Sequence, residues 1–115
     1  MGILYHNPRC SKSRQTLAII EESSVAFKLV EYLKNPLDED QILDVLTRLQ
    51  GGPASLVRTQ DAGFSDVGVD VVELSNPLVV ASVLANNPRF MQRPLYDDGS
   101  VALIARPPEL VSSLL

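Results

Sequence analysis

The first 32 residues fix the architecture open to this chain. Gly2-Ile3-Leu4-Tyr5 is a short apolar run, with the length and character of a buried strand. Asn7-Pro8 ends it, because proline has no N–H to give a sheet ladder and favours turn geometry. Ser11 to Glu22 then reads as a helix with Leu17, Ile19 and Ile20 facing inward, and Ala26 to Tyr32 as a second strand. A strand–helix–strand unit is a crossover connection, which makes its two strands parallel. Parallel strands need helices on both faces, so the remainder of the chain has to supply them.

It has the signals to do so. Asp38 can cap a helix, with Gln41 three residues on as its capping-box partner. Ile42, Val45, Leu46 and Leu49 follow at helical spacing, and Gly51-Gly52 is the expected stop. A short helical turn is expected from Pro53 to Val57, ending at Arg58, and the polar, glycine-containing stretch from Thr59 to Asp70 reads as a loop. Ser75-Asn76-Pro77 begins another helix with proline at its first position, and Asn87-Pro88 closes it. Leu95-Tyr96, Asp97-Asp98-Gly99 and Val101 to Ile104 spell a hairpin whose glycine supplies positive φ. Pro107-Pro108 opens a last short helix through Leu115. The expected fold is one α/β domain over residues 1–115: a four-stranded mixed sheet flanked by helices, with a helical insertion between its βαβ and ββα halves.

Composition narrows the function. Hydrophobic residues are 45% and charged residues 21%, which is ordinary for a globular chain and unlike a disordered tail. No apolar run is long enough to span a bilayer, and the N-terminus lacks the features of a signal peptide; no membrane role and a cytoplasmic home are therefore expected. One cysteine and one histidine can form neither a disulfide scaffold nor a zinc-finger site, so no metal and no bound cofactor are expected. Arg9, Lys12 and Arg14, with no acid, give residues 1–14 a charge of +3. Residues 15–88 carry −7, and residues 89–115 are neutral. An acidic body argues against nucleic-acid binding, which needs an extended basic face. A small basic end suits a small anion.

Cys10 sits in that basic end, between the first strand and the first helix. Ligands of open α/β sheets bind beyond the carboxyl ends of the strands. A thiolate there is favoured by the helix N-terminus, which carries roughly half a positive charge, by free N–H groups aimed at the sulfur, and by flanking cations. Ser13 is placed to donate a further hydrogen bond, and His6 to set a positive or hydrogen-bonding imidazole against the sulfur. The spacing excludes a dithiol motif, because Ser13 holds the second thiol's place, and a phosphatase loop, because Thr16 stands where its arginine belongs. Redox turnover would thus draw on an external thiol. Arg58, Arg93 and Arg106 stand at the ends of expected elements, and converging guanidinium forks make an oxyanion cradle. Arg93-Pro94, at a strand start, is a candidate cis bond.

These residues carry a resemblance. His6-Asn7-Pro8-Arg9-Cys10-Ser11-Lys12-Ser13-Arg14, Tyr32-Leu33-Lys34-Asn35-Pro36-Leu37, Leu56-Val57-Arg58, Gln92-Arg93-Pro94 and Arg106-Pro107 occur in order along the chain. The chain resembles the glutaredoxin-coupled arsenate reductase family, of thioredoxin-like fold, and within it the short chromosomal branch. The resemblance implies that the Cys10 thiolate attacks arsenate held by Arg58, Arg93 and Arg106. Glutathione is then the co-substrate and glutaredoxin the protein partner that completes reduction to arsenite. It further implies that His6, Ser13 and Arg14 lower the thiol pKa and order the loop, that Asn7 supports it, and that Pro94 is the fold's cis-proline. Arg9, Ser11 and Lys12 make the rim bulkier and more basic than in better-known members. Two other readings remain open. One is a glutathione-dependent oxidoreductase acting on another oxyanion or a mixed disulfide. The other is a non-catalytic regulator like the related Spx-type proteins, which usually carry Cys-x-x-Cys.

Overall fold

The computed structural model describes residues 1–115. β1 (Gly2–His6), α1 (Ser11–Glu22) and β2 (Phe27–Glu31) make the expected crossover, with the strands parallel from Gly2 opposite Phe27 to His6 opposite Glu31. The insertion holds α2 (Glu39–Arg48) and α3 (Pro77–Asn86), with 3-10 turns at Pro53–Leu56, Phe64–Val67 and Val71–Ser75. β3 (Leu95–Asp97) and β4 (Ala102–Ile104) form the hairpin, and a 3-10 helix, Pro108–Leu114, follows. The sheet order is β2-β1-β3-β4, with β3 antiparallel to both of its neighbours. This is the thioredoxin-like α/β arrangement expected from the sequence.

The local signals act as their chemistry requires. Asp38 accepts from the Gln41 N–H at 2.8 Å while the Gln41 side chain accepts from the Asp38 N–H at 2.9 Å, a complete capping box. Asn76 caps α3 by accepting from the Leu78 N–H at 3.0 Å. Gly99 takes φ +97° in the hairpin turn, where Asp98 accepts from the N–H groups of Ser100 and Val101. Alternation along β1 divides the core: Tyr5 joins the larger cluster under α2 and α3, and Leu4 joins Ile20, Tyr96, Ala105 and Val111 on the other face.

Three expectations needed correction. The inner face of α1 is Ser13, Thr16 and Ile20, while Leu17 and Ile19 are only half-buried; the first turn is polar inside because it packs against the end of β1. α2 ends at Arg48, before Gly51-Gly52, since Leu49 leaves the helix to bridge Ala102 and the Gln50 N–H donates to the Ala102 carbonyl at 2.8 Å. The stretch from Thr59 to Asp70 is not a plain loop. It contains the Phe64–Val67 turn, and Phe64 is buried edge-on against Phe90 with centroids 5.6 Å apart.

Arg48 also locks the insertion to the hairpin. Its Nε donates to both Asp97 oxygens at 3.1 and 3.2 Å, and its Nη2 donates to one of them at 2.6 Å. Asp97 is 4% exposed.

Candidate active site

The strand register brings the candidate residues to one edge of the sheet. β1 and β2 end together at His6 and Glu31, so Asn7 and Tyr32 follow side by side. β3 begins opposite Tyr5, which puts Arg93-Pro94 next to the same end of β1. β4 ends opposite Leu95, which puts Ala105-Arg106 beside Pro94. The edge is the carboxyl end of the parallel pair, where α/β sheets bind ligands.

Cys10 is the N-cap of α1, in extended conformation, and is half-buried. Its N–H donates to the Asn7 carbonyl at 3.0 Å and its carbonyl accepts from the Arg14 N–H at 3.0 Å. Its side chain accepts no capping hydrogen bond, contrary to the expected N–H groups aimed at the sulfur. A neutral thiol is a weak acceptor, and the first-turn N–H groups have no partner within the helix. The residues expected to act on the sulfur instead bind one another. His6 Nδ1 and Ser13 Oγ are 2.6 Å apart, and that hydroxyl also accepts from the Asn7 N–H at 3.1 Å. Asn7 Oδ1 accepts from the Arg9 N–H at 3.0 Å, and Arg14 Nη1 donates to the Pro8 carbonyl at 2.9 Å. These contacts hold the loop. None reaches the sulfur.

The three arginine segments meet on residues 90–94. The Arg58 N–H donates to the Phe90 carbonyl and the Gln92 N–H to the Leu56 carbonyl, both at 2.7 Å. Arg106 Nη1 donates to the Arg93 carbonyl at 3.1 Å, and the Ala105 N–H to the Pro94 carbonyl at 3.0 Å. Arg93-Pro94 is cis, as expected, and so is Arg106-Pro107, which the sequence reading did not anticipate. The side chains differ in commitment. Arg58 Nη1 donates to Asp61 at 2.7 Å. Arg93 Nε is buried with no hydrogen-bond partner.

Two residues here were given no role from sequence. Asp61 is held by Arg58 and by Arg89, so its carboxyl pKa lies below the ordinary range, chiefly through the Arg58 hydrogen bond. Its signal was its place three residues after Arg58. Tyr32 is 1% exposed and its hydroxyl has no hydrogen-bond partner. Burial pushes its pKa up to about 12. A hydrogen-bonding approach of the Asn7 side chain, too loose in geometry to satisfy the hydroxyl, and the charge of Arg58 oppose that rise, while Cys10 and Asp61 add to it. Its signal was a tyrosine directly beyond an apolar strand. No group of three or more His, Cys, Asp or Glu side chains comes together as a metal site, and no helix is long and apolar enough to cross a membrane.

The model of the ArsC family matches residues 5–114. The chain belongs to the ArsC family. An arsenate reductase of Neisseria meningitidis serogroup A is 32% identical over 113 residues, 97% of this chain and 96% of that one. The solved structure of an arsenate reductase from Vibrio cholerae superposes with a TM-score of 0.88 at 28% identity, over 99% of this chain and 97% of that one. A global transcriptional regulator Spx of Streptococcus agalactiae is 26% identical over 98 residues, 85% of this chain and 71% of the regulator. The ArsC family thus includes relatives named as enzymes, while the chain's matches extend to a named regulator.

In this ArsC-family chain the His6 ring is held by the Ser13 hydroxyl. Burial pushes its pKa below the ordinary 6.5, Glu31 opposes that and Arg14 adds to it. Between the lowered value and about 6.5, the unfolded chain binds more protons than the folded one. Stability is accordingly full above about pH 6.5 and falls as the pH drops through that window. Urea midpoints measured from pH 7.5 to 5 should show this loss, and His6→Asn should flatten it relative to the parent. An unchanged slope in the variant would place the titrating group elsewhere.

Proposed function

We propose that the protein reduces arsenate to arsenite with glutathione and glutaredoxin, through a Cys10 thiolate adduct. The observation that carries this reading is Arg93: a guanidinium Nε–H, buried beside the carboxyl end of β1, with no acceptor in the protein. A buried donor without a partner is costly, and a planar cation of this kind pairs best with a forked oxyanion. Arg106 is tied to the same segment by its side chain and adds charge there, while the Arg58 guanidinium, joined to it through the backbone, is paired with Asp61.

In the proposed reaction the Cys10 thiolate attacks arsenic, an S–As bond forms, and an arsenic oxygen leaves as water after protonation. Glutathione replaces a second oxygen in the same way. The glutaredoxin thiolate then attacks the glutathione sulfur. The electron pair of the broken S–As bond stays on arsenic, which passes from As(V) to As(III). Water releases arsenite from Cys10 and restores the thiol. Two thiols become one mixed disulfide for each arsenate reduced, so a single protein cysteine suffices. The arginines neutralise the oxyanion, whose charge would otherwise repel the thiolate.

The regulator reading has less behind it. Ser13, where a second thiol would sit, is fully buried and bonded to His6.

The test follows NADPH consumption with arsenate, glutathione, glutathione reductase and glutaredoxin. Wild-type protein should turn over, and Arg93→Ala should raise the arsenate KM at least about tenfold, the worth of a charge-assisted hydrogen bond, with little change in unfolding midpoint. A wild-type protein inert toward arsenate, or a KM that Arg93→Ala leaves in place, would overturn the reading.

A further inference from the structure

Beside Cys10, the hydrogen-bonding groups are nearly all committed. From its own loop and helix, Arg14 is spent on the Pro8 carbonyl, while Arg9 and Lys12 are exposed. From β1, His6 is paired with Ser13. From the insertion, Arg58 and Asp61 are paired with each other. From the hairpin side, Arg106 is on the Arg93 carbonyl. Two buried side-chain atoms have no partner, Arg93 Nε and the Tyr32 hydroxyl. The arginine is accounted for by the oxyanion; the tyrosine is not.

Tyr32 immediately follows β2 at the carboxyl edge, one step beyond the His6–Glu31 pair and thus beside Asn7. Its ring packs in the larger core cluster with Tyr5 and Leu37, so the hydroxyl has little freedom to seek water. The Asn7 side chain is close enough to interact with the hydroxyl, while Asn7 Oδ1 is engaged by the Arg9 N–H and the Asp61 oxygens by Arg58 and Arg89. Cys10 is close enough to add to the rise in the phenol's pKa, and its sulfur receives no hydrogen bond from the protein. Ionisation turns it into a strong acceptor, and a staggered rotation about Cα–Cβ relocates it.

We propose that the Tyr32 hydroxyl is the donor that receives the Cys10 thiolate, a positioning residue for the nucleophile supplied by the end of β2. The phenol stays protonated throughout the working range, since its pKa is raised by burial and further by Cys10 itself. It is therefore always a donor at the moment the sulfur ionises. The bond is absent while the thiol is neutral, so the hydroxyl's desolvation is relieved only in the ionised state, and that difference favours ionisation.

This inference rests on Cys10 being the working nucleophile, but its test needs no arsenate. The rate of Cys10 alkylation by iodoacetamide is followed against pH for the wild type and Tyr32→Phe, with urea unfolding of both. Loss of a hydrogen bond to a charged group should move the alkylation midpoint up by about one pH unit, a roughly tenfold slower reaction below it. The unfolding midpoint should hold or rise, because the phenylalanine removes a buried hydroxyl that has no partner in the resting fold. A midpoint that stays in place or moves down overturns the assignment. So does a variant that is clearly less stable with its pH profile unmoved, which would make the hydroxyl a structural partner. A chain inert toward arsenate whose alkylation midpoint still shifts would refute the reductase and uphold Tyr32; an active chain with no shift would do the reverse.

Discussion

Cys10→Ser should lower arsenate turnover by about a thousandfold or more, the scale of losing a covalent nucleophile, and leave the unfolding midpoint nearly unchanged. The two halves of that expectation have different causes. A serine hydroxyl at this position would have to ionise far above neutral pH, and the neighbouring cations cannot close such a gap. The fold loses almost nothing, because the Cys10 side chain is half-buried, belongs to neither core cluster and makes no capping hydrogen bond. Its backbone contacts to Asn7 and Arg14 remain. Serine is also a better N-cap than cysteine, so a small gain in stability would be no surprise. Coupled NADPH assays beside urea titrations read both quantities. Turnover within tenfold of the parent would remove Cys10 from the mechanism.

Arg48→Ala should lower stability by about 3 kcal/mol. Three N–H···O contacts join Arg48 to Asp97, and removing them leaves a carboxylate that is almost inaccessible to water. The exposed Asp44 contact of the same guanidinium contributes little. For a domain this size the loss corresponds to a fall in Tm of about 10–20 °C. Adding Asp97→Asn should restore part of it, since asparagine still accepts from the Gly99 N–H, which now donates to Asp97 at 2.9 Å, and carries no charge to bury. A loss below about 1 kcal/mol, or no recovery in the double variant, would show that the pair is solvated after all.

What could be read from sequence was local in origin. The separate strands and helix of the crossover, the capping box at Asp38 and Gln41, the Asn76-Pro77 start and the Gly99 turn each depend on residues a few positions apart. The features that escaped depend on distant partners. α2 stops early because Ala102 pairs with Leu49 and Gln50, and the 59–70 stretch folds because Phe64 meets Phe90. The site follows the same division. Cys10 and the three arginines stand out by residue type and position, and the register gathers their segments at one edge. That His6 and Ser13 would bind each other, that Asp61 would hold Arg58, and that Tyr32 would end with an unsatisfied hydroxyl all depend on packing that periodicity does not encode. Arg93 and Tyr32 hold the only buried side-chain polar atoms without partners, and both are at the candidate site, where unmet hydrogen-bonding capacity is most often put to use.

The position of β1, between β2 and β3, has a consequence for how the protein is made. Cys10 is synthesised well before the Arg93 and Arg106 segments that lie beside the same end of β1. Sequence-distant pairing of this kind forms late. Until those segments are made, Cys10 stands without the Arg93 and Arg106 guanidinium groups. On the proposed mechanism the oxyanion site is therefore complete only once the hairpin has docked along β1.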